Sequence, residues 1–153
     1  MIVEISPTKI VKGATTVWHE PGLEVDIVMD PKNLTFREGS IDELYSFHVL
    51  ERLFRDEASA ALRNWKGCLK LGGSLFVIVD DFEYLSRAYV GGDISLETFN
   101  RDFSHPIHFD RDFLIAMLVG AGFKENNLVA WFNNVKNYFE RKHYEIVLSA
   151  KNA

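Results

Sequence analysis

The run Leu75-Phe76-Val77-Ile78-Val79 is apolar without interruption, with Gly72-Gly73 just before it and Asp80-Asp81 just after it. It has the length of a strand, and it lacks the alternation of a strand with one wet face. Such a strand is buried on both faces, which is the mark of a sheet covered on both sides. That requirement points to an α/β architecture. The stretch Gly39 to Leu53 supplies a neighbour. Leu44-Tyr45-Ser46-Phe47 reads as a second short buried strand, and Val49, Leu50 and Leu53 follow at helical spacing from a start at Ser46 or His48. A strand that turns directly into a helix sets side chains and free N–H groups at the carboxyl edge of a sheet, where open α/β folds bind ligands.

The remaining elements fit the same plan. Ile2 to Ile5 predicts a first strand, ended by Ser6-Pro7-Thr8, and Ala14 to Trp18 predicts a second. Only about eight residues separate them, short of the usual helical crossover between parallel strands. Val25 to Met29 reads as a third strand, ending at Asp30-Pro31, with Leu34 and Phe36 tucked under the following loop. Asp56 to Leu69 predicts a helix with Ala58, Ala61, Leu62, Trp65 and Leu69 on one face, ended by Lys70-Leu71-Gly72-Gly73. Asp80-Asp81 can cap a helix containing Leu85 and Tyr89, which Gly91-Gly92 breaks. Residues 93–109 read as a lid-like insertion with a short helical turn. Asp110 caps a helix with Phe113, Leu114, Met117, Leu118 and Ala121 on one face and Gly122 at its C-terminal end. Leu128 to Phe132 and Tyr144 to Ala150 predict a closing antiparallel pair. The sum is one domain over residues 1–153, with a mostly parallel sheet and an antiparallel edge.

Composition narrows the function. The net charge is −5 with no basic block, which argues against a nucleic-acid partner. Cys68 is the single cysteine, so no internal disulfide forms and a reducing, cytoplasmic setting is expected. Met1 to Glu20 holds charge and no long apolar core, so no secretory signal is expected, and no apolar run has membrane-spanning length.

The order of these elements resembles small class I S-adenosylmethionine-dependent methyltransferases of the compact branch met beside polysaccharide synthesis. Val25 to Asp30 with Asn33-Leu34 resembles the family's acidic adenine loop. Gly39 to Leu53 resembles its fourth strand and the segment behind it, usually ending His-Val-Leu-Glu-His-Leu. Leu69 to Leu75 resembles its Leu-Lys-Pro-Gly-Gly turn, and Phe113 to Phe123 resembles the helix before its sixth strand. The resemblance implies a Rossmann-like sheet with a short or missing first helix. It also implies S-adenosylmethionine as cofactor, with Ser6, Trp18, Asp30, Leu34, Ser46 and Phe47 placed around it. The cofactor motifs depart from the pattern. Ser6-Pro7-Thr8 stands where the family has a glycine-rich turn that lets backbone approach the cofactor. Trp18 stands where an acid holds the ribose, and Pro31 has no N–H to give to adenine. Weak or lost cofactor binding is the expectation.

His48, at the carboxyl edge of the fourth strand, is a candidate general base, and its bland alternative is a histidine packed at a helix start. Asp81, beside Asp80 and Glu83, is a candidate for acid–base work or for binding a magnesium ion, against the plainer role of a helix cap. His105 and His108 lack further ligands of known position and read as surface loop, so no metal set is assigned. Arg141-Lys142-His143 reads as a solvated hairpin tip. Two functions follow. One is a methyltransferase-fold protein with a degraded cofactor site and a binding or assembly role, pairing with itself or an active relative. The other is an active enzyme that methylates a small-molecule acceptor such as a sugar hydroxyl. The aromatic segment Leu128 to Phe139 is the expected homodimer surface.

Overall fold

The computed structural model describes residues 1–130 and 145–153. In chain order the elements are β1 (Ile2–Ile5), β2 (Thr15–Trp18), β3 (Ile27–Val28), β4 (Ile41–Phe47), α1 (Arg55–Cys68), β5 (Leu69–Asp80), α2 (Phe82–Gly91), α3 (Leu96–Asp102), α4 (Arg111–Gly120), β6 (Leu128–Ala130) and β7 (Glu145–Lys151). They build a seven-stranded sheet in the order β3-β2-β1-β4-β5-β7-β6. β1 to β5 run parallel, and β7 is antiparallel to both β5 and β6. The strand order reverses between β1 and β4, which makes their carboxyl ends the natural ligand edge.

The apolar run holds the centre, as its composition requires. Leu75, Val77, Ile78 and Val79 have no exposed surface, between β4 on one side and β7 on the other. On one face of the sheet lie Ala58, Ala61, Leu62 and Trp65 of α1 and Leu114 and Leu118 of α4, all in one core with Val3, Ile5, Leu44 and Leu75. Glu57 ties down the start of α1 by accepting from the Phe54 N–H at 3.0 Å. The indole N–H of Trp65 donates to the Pro31 carbonyl at 2.8 Å, which pins the loop after β3 to the core.

Several boundaries differ from expectation, each for a local reason. The glycines that were to end α1 instead lie inside β5. Leu69 pairs with Ile41, the register then shifts between Ile41 and Glu43, and Gly72 takes a φ of +80° to absorb the irregularity. A Cβ on Gly73 would sit 3.0 Å from the Ile41 carbonyl oxygen, so a larger residue would crowd the paired backbone there. No continuous helix follows β4: His48 is left-handed, with a φ of +52°, and a single 3-10 turn, Leu50–Arg52, precedes α1. The segment 93–109 contains a genuine helix, α3, capped by the Ser95 hydroxyl on the Thr98 N–H at 3.0 Å. Tyr89 faces outward, while Leu85 and Ala88 carry the buried side of α2. Trp131 to Phe139 of the expected dimer surface, and the basic tip 141–143, lie outside the described residues.

The link between β1 and β2 has no helix at all. Glu4, fully buried in β1, holds it down. Its carboxylate accepts from the N–H of Ile10 at 3.0 Å, from the N–H of Val11 at 2.6 Å and from the Thr16 hydroxyl at 2.8 Å. Val11 and Ala14 then cover Tyr45, Phe47 and Ile78 on the second face of the sheet.

Trp65 tests this packing. Trp65→Ala should cost about 3–5 kcal/mol in urea unfolding. Trp65→Phe keeps most of the volume and loses the bond to Pro31, so it should cost about 1–2 kcal/mol. Equal, small losses in both variants would contradict the core placement.

Candidate functional site at the carboxyl edge of the sheet

Two clefts open at the carboxyl ends of the strands. The first, about 600 Å³, lies over β2 and β3 and is bordered by Trp18, Val28, Asp30, Pro31, Val49 and Leu53. The second, about 310 Å³, lies over β4, β5 and β7 and is bordered by His48, Asp80, Phe103, His105 and Glu145. Arg52 borders both. Its Nε donates to the His48 carbonyl at 3.1 Å, which sets the guanidinium between them.

The second cleft is built on a charge cluster. β4 ends at Phe47, and the His48 N–H then donates to the Ile78 carbonyl of β5 at 3.0 Å. The left-handed turn at His48 swings its ring between two carboxylates. Nδ1 lies 2.8 Å from Glu51 Oε1, and Nε2 lies 2.8 Å from Glu145 Oε1. Asp80 Oδ1 is 3.6 Å from Nδ1, and Asp80 Oδ2 is 3.2 Å from His105 Nε2. Burial disfavours a charged imidazole here, but the bonds to Glu145 and Glu51 and the charges of Glu51 and Asp80 outweigh it and push the His48 pKa up to about 10. Both ring nitrogens of His48 thus meet carboxylates, an arrangement that favours the protonated ring over the neutral one that a general base requires. His108 behaves oppositely: burial and the neighbouring His105 hold its pKa below the usual value.

The first cleft has a different character. Trp18 is buried, packs against the main core and forms one wall, with its ring 4.8 Å from that of His19. Asp30 stands at the mouth, and its Oδ1 accepts from the Lys32 N–H at 2.9 Å. The loop after β1 has its donors taken up by side chains. The N–H of Thr8 goes to the Ser6 hydroxyl at 3.2 Å, that of Lys9 to Glu24 at 3.3 Å, and those of Ile10 and Val11 to Glu4.

Of the residues expected around a cofactor, Trp18 and Asp30 border the first cleft. Ser6 is buried at the end of β1 and caps its own loop. Leu34 is in the core, clamped by Asn64, whose Oδ1 accepts from the Leu34 N–H at 2.8 Å. Ser46 is fully buried between β1 and β5, and its hydroxyl has no partner. Phe47 packs on the second face against Tyr45, with the rings stacked at 6.3 Å. Of the expected reactive groups, His48 is at the centre of the cluster. Asp81 takes the cap position: its Oδ1 accepts from the Glu83 N–H at 3.0 Å at the start of α2. His105 is not a free surface residue, since it reaches Asp80 across the second cleft. Glu51, Asp80 and Glu145 complete the cluster. Glu51 was not singled out in the sequence, although its place three residues after His48 is a spacing that brings side chains together. Glu145 lies 97 positions away from His48 and leaves no local signal.

Residues 2–77 match the methyltransferase domain family. Comparison with curated proteins finds no sequence match. Among solved structures, the fold is similar to an S-adenosylmethionine-dependent methyltransferase of Thermotoga maritima, at 17% identity and a TM-score of 0.60, over 92% of this chain and 65% of that one. It is also similar to an S-adenosylmethionine-dependent methyltransferase of Mesorhizobium loti, at 14% identity and a TM-score of 0.58, over 91% of this chain and 81% of that one. The CurJ carbon methyltransferase matches at 16% identity and a TM-score of 0.53, over 82% of this chain, which spans 34% of that one. At such identities the structures speak for the fold alone. The sequence match spans just under half of the chain, and in fold the chain is similar to S-adenosylmethionine-dependent methyltransferases. Among the described residues, no helix is long and apolar enough to cross a membrane.

The charge on His48 has a measurable consequence. In chelator-treated protein, NMR titration should find the His48 ring still protonated at pH 8, with a midpoint near pH 10. Glu145→Gln should move that midpoint down. The folded-state pKa is raised, so the charge stabilises the fold in full below about pH 6.5. That contribution fades as the pH climbs through about 10. A His48 that titrates near pH 6.5 would refute the assignment.

Proposed function

We propose that this chain is a methyltransferase-fold protein whose cofactor half is degraded, with weak or lost catalysis, and that it serves as a binding or assembly module. The observation that carries this reading is the loop after β1. Its N–H groups at Thr8, Lys9, Ile10 and Val11 are each taken by a side chain of this chain. A loop of this fold that holds a cofactor must bring open backbone close to it. Two further features agree. Trp18 fills core space with an aromatic ring where an acid would hold a ribose, and Pro31 lacks the N–H that would meet adenine. Losing these bonds costs several kcal/mol, at about 1.5–3 kcal/mol for each charged hydrogen bond. Ser6-Pro7-Thr8, Trp18 and Pro31 do not fit S-adenosylmethionine. The assembly role we assign to pairing with a second copy or an active relative. Light scattering at micromolar protein tests self-pairing, and a mass that stays at 17.5 kDa at every concentration counts against it.

A second reading has its own support. The first cleft has the volume of a small-molecule site, and Arg52 links it to the polar second cleft. In that reading the chain is an active methyltransferase with a small polar acceptor, such as a sugar hydroxyl, in the second cleft. Any proton acceptor there would be Asp80 or Glu145, since His48 is already charged.

Calorimetry with S-adenosylhomocysteine separates the two readings. The degraded reading expects a dissociation constant weaker than about 1 mM, which corresponds to roughly −4 kcal/mol. It also expects a gain in Pro31→Ala, and a larger one in Trp18→Asp combined with Pro31→Ala if that variant stays folded, of about tenfold for each 1.4 kcal/mol recovered. Micromolar binding by the unaltered protein would sink it in favour of the active enzyme.

A further inference from the structure

From the cluster at the end of β4 and β5, we propose a binding site for a divalent first-row metal ion, held by His48 Nδ1, the Glu51 carboxylate and Asp80 Oδ1. The inference is independent of how the first cleft treats a methyl donor.

The donor atoms come from two separate pieces of backbone: the turn after β4 that runs into the 3-10 turn, and the last residue of β5. They nevertheless lie within 4.8 Å of one another. One imidazole nitrogen with carboxylate oxygens is a set shared by Zn²⁺, Fe²⁺ and Mn²⁺, while Mg²⁺ and Ca²⁺ favour oxygen alone. A second observation points to a missing ligand. Glu51 is 1% exposed, and its Oε2 is buried with no hydrogen-bond partner. Leaving a buried carboxylate oxygen unpaired is costly, more so than for a neutral group. The other oxygen is fully used, since Oε1 meets His48 Nδ1 at 2.8 Å and accepts from the Asp80 N–H at 3.2 Å. A cation between Glu51, His48 and Asp80 satisfies Oε2 and neutralises the crowd of carboxylates.

The outer shell is also in place. Metal-bound histidines usually give their other ring N–H to a carboxylate, which fixes the ring and raises its basicity. His48 Nε2 meets Glu145 Oε1 at 2.8 Å in this role. Asp80 Oδ2 is held by His105 Nε2 at 3.2 Å, which leaves Oδ1 directed to His48. The second cleft gives the site an open side, as sites that bind exchangeable ligands require. When the ion binds, Nδ1 releases its proton to solvent, and the nitrogen lone pair goes to the metal.

The test uses Zn²⁺ at pH 8 on the full chain after chelator treatment. Isothermal titration should show one saturable equivalent. Nitrogen-edited NMR of the histidine rings should show His48 shifting most, with His105 following and His19 unmoved. Glu51→Gln keeps the shape and removes the charge, and it should weaken binding at least tenfold, as should His48→Gln. Unaltered affinity in either folded variant overturns the site. If neither variant folds, the NMR of the unaltered protein decides alone: zinc that leaves the His48 ring unshifted, or no uptake at millimolar zinc, overturns it.

Discussion

The pairing of β5 with both β4 and β7 is the constraint on which the rest depends. β5 carries the apolar centre of the sheet, and its register decides what reaches the carboxyl edge. Phe47 pairs with Ile78, and Asp80 pairs with Glu145. Those two alignments bring the residue after β4, the end of β5 and the start of β7 to one place. A slip of a single residue would turn each side chain to the opposite face. Leu75, Val77 and Val79 pack in one core and Ile78 in another, so such a slip would break the packing on both faces. The packing of the core and the position of the cluster are thus one fact.

That arrangement concentrates negative charge in a place with little water. Glu51 and Asp80 are buried, the Glu145 side chain is largely covered, and their mutual repulsion must be offset by something positive. His48 supplies it in the resting protein, at the expense of a left-handed backbone that few residues other than glycine adopt readily. The arrangement exchanges a reactive neutral base for a fixed cation. A metal ion in the same position would free the imidazole from that duty, which is why the charge balance and the proposed site are two sides of one question.

At the other end of the sheet edge, the β1–β2 link is held by its own side chains. Glu4 sits in the middle of β1, yet it acts as a tether for the loop beyond. A parallel pair normally needs a longer crossover. Here the missing helix is replaced by hydrogen bonds to one buried carboxylate, and Val11 and Ala14 supply the apolar cover that a helix would have given. The same bonds that make the short link stable also use up its donors. Stability of the link and openness to a ligand compete for the same N–H groups.

The sequence alone determined the layered α/β sheet, because the unbroken run Leu75 to Val79 admits little else. It also determined the apolar faces of α1 and α4 and the cap of α4, which are local patterns: Asp110 accepts from the Phe113 N–H at 2.8 Å, as its position implied. That Ser6-Pro7-Thr8 and Trp18 end the first two strands, and that Pro31 has no N–H, was legible for the same reason, since each is a property of single positions. What only the tertiary structure decided is the protonation and partnership of those residues. His48 was visible as a candidate, but its charge state depends on Glu145, which arrives from the far end of the chain. Asp80 and Asp81 are indistinguishable as neighbours in sequence. The structure separates them, with Asp81 on the N–H groups of α2 and Asp80 in the cluster. The role of Glu4 was invisible because an acid in a buried strand signals only a conflict until its partners are seen. Periodicity and turn chemistry act over a few residues, whereas charge balance is set by whatever the fold brings within a few ångströms.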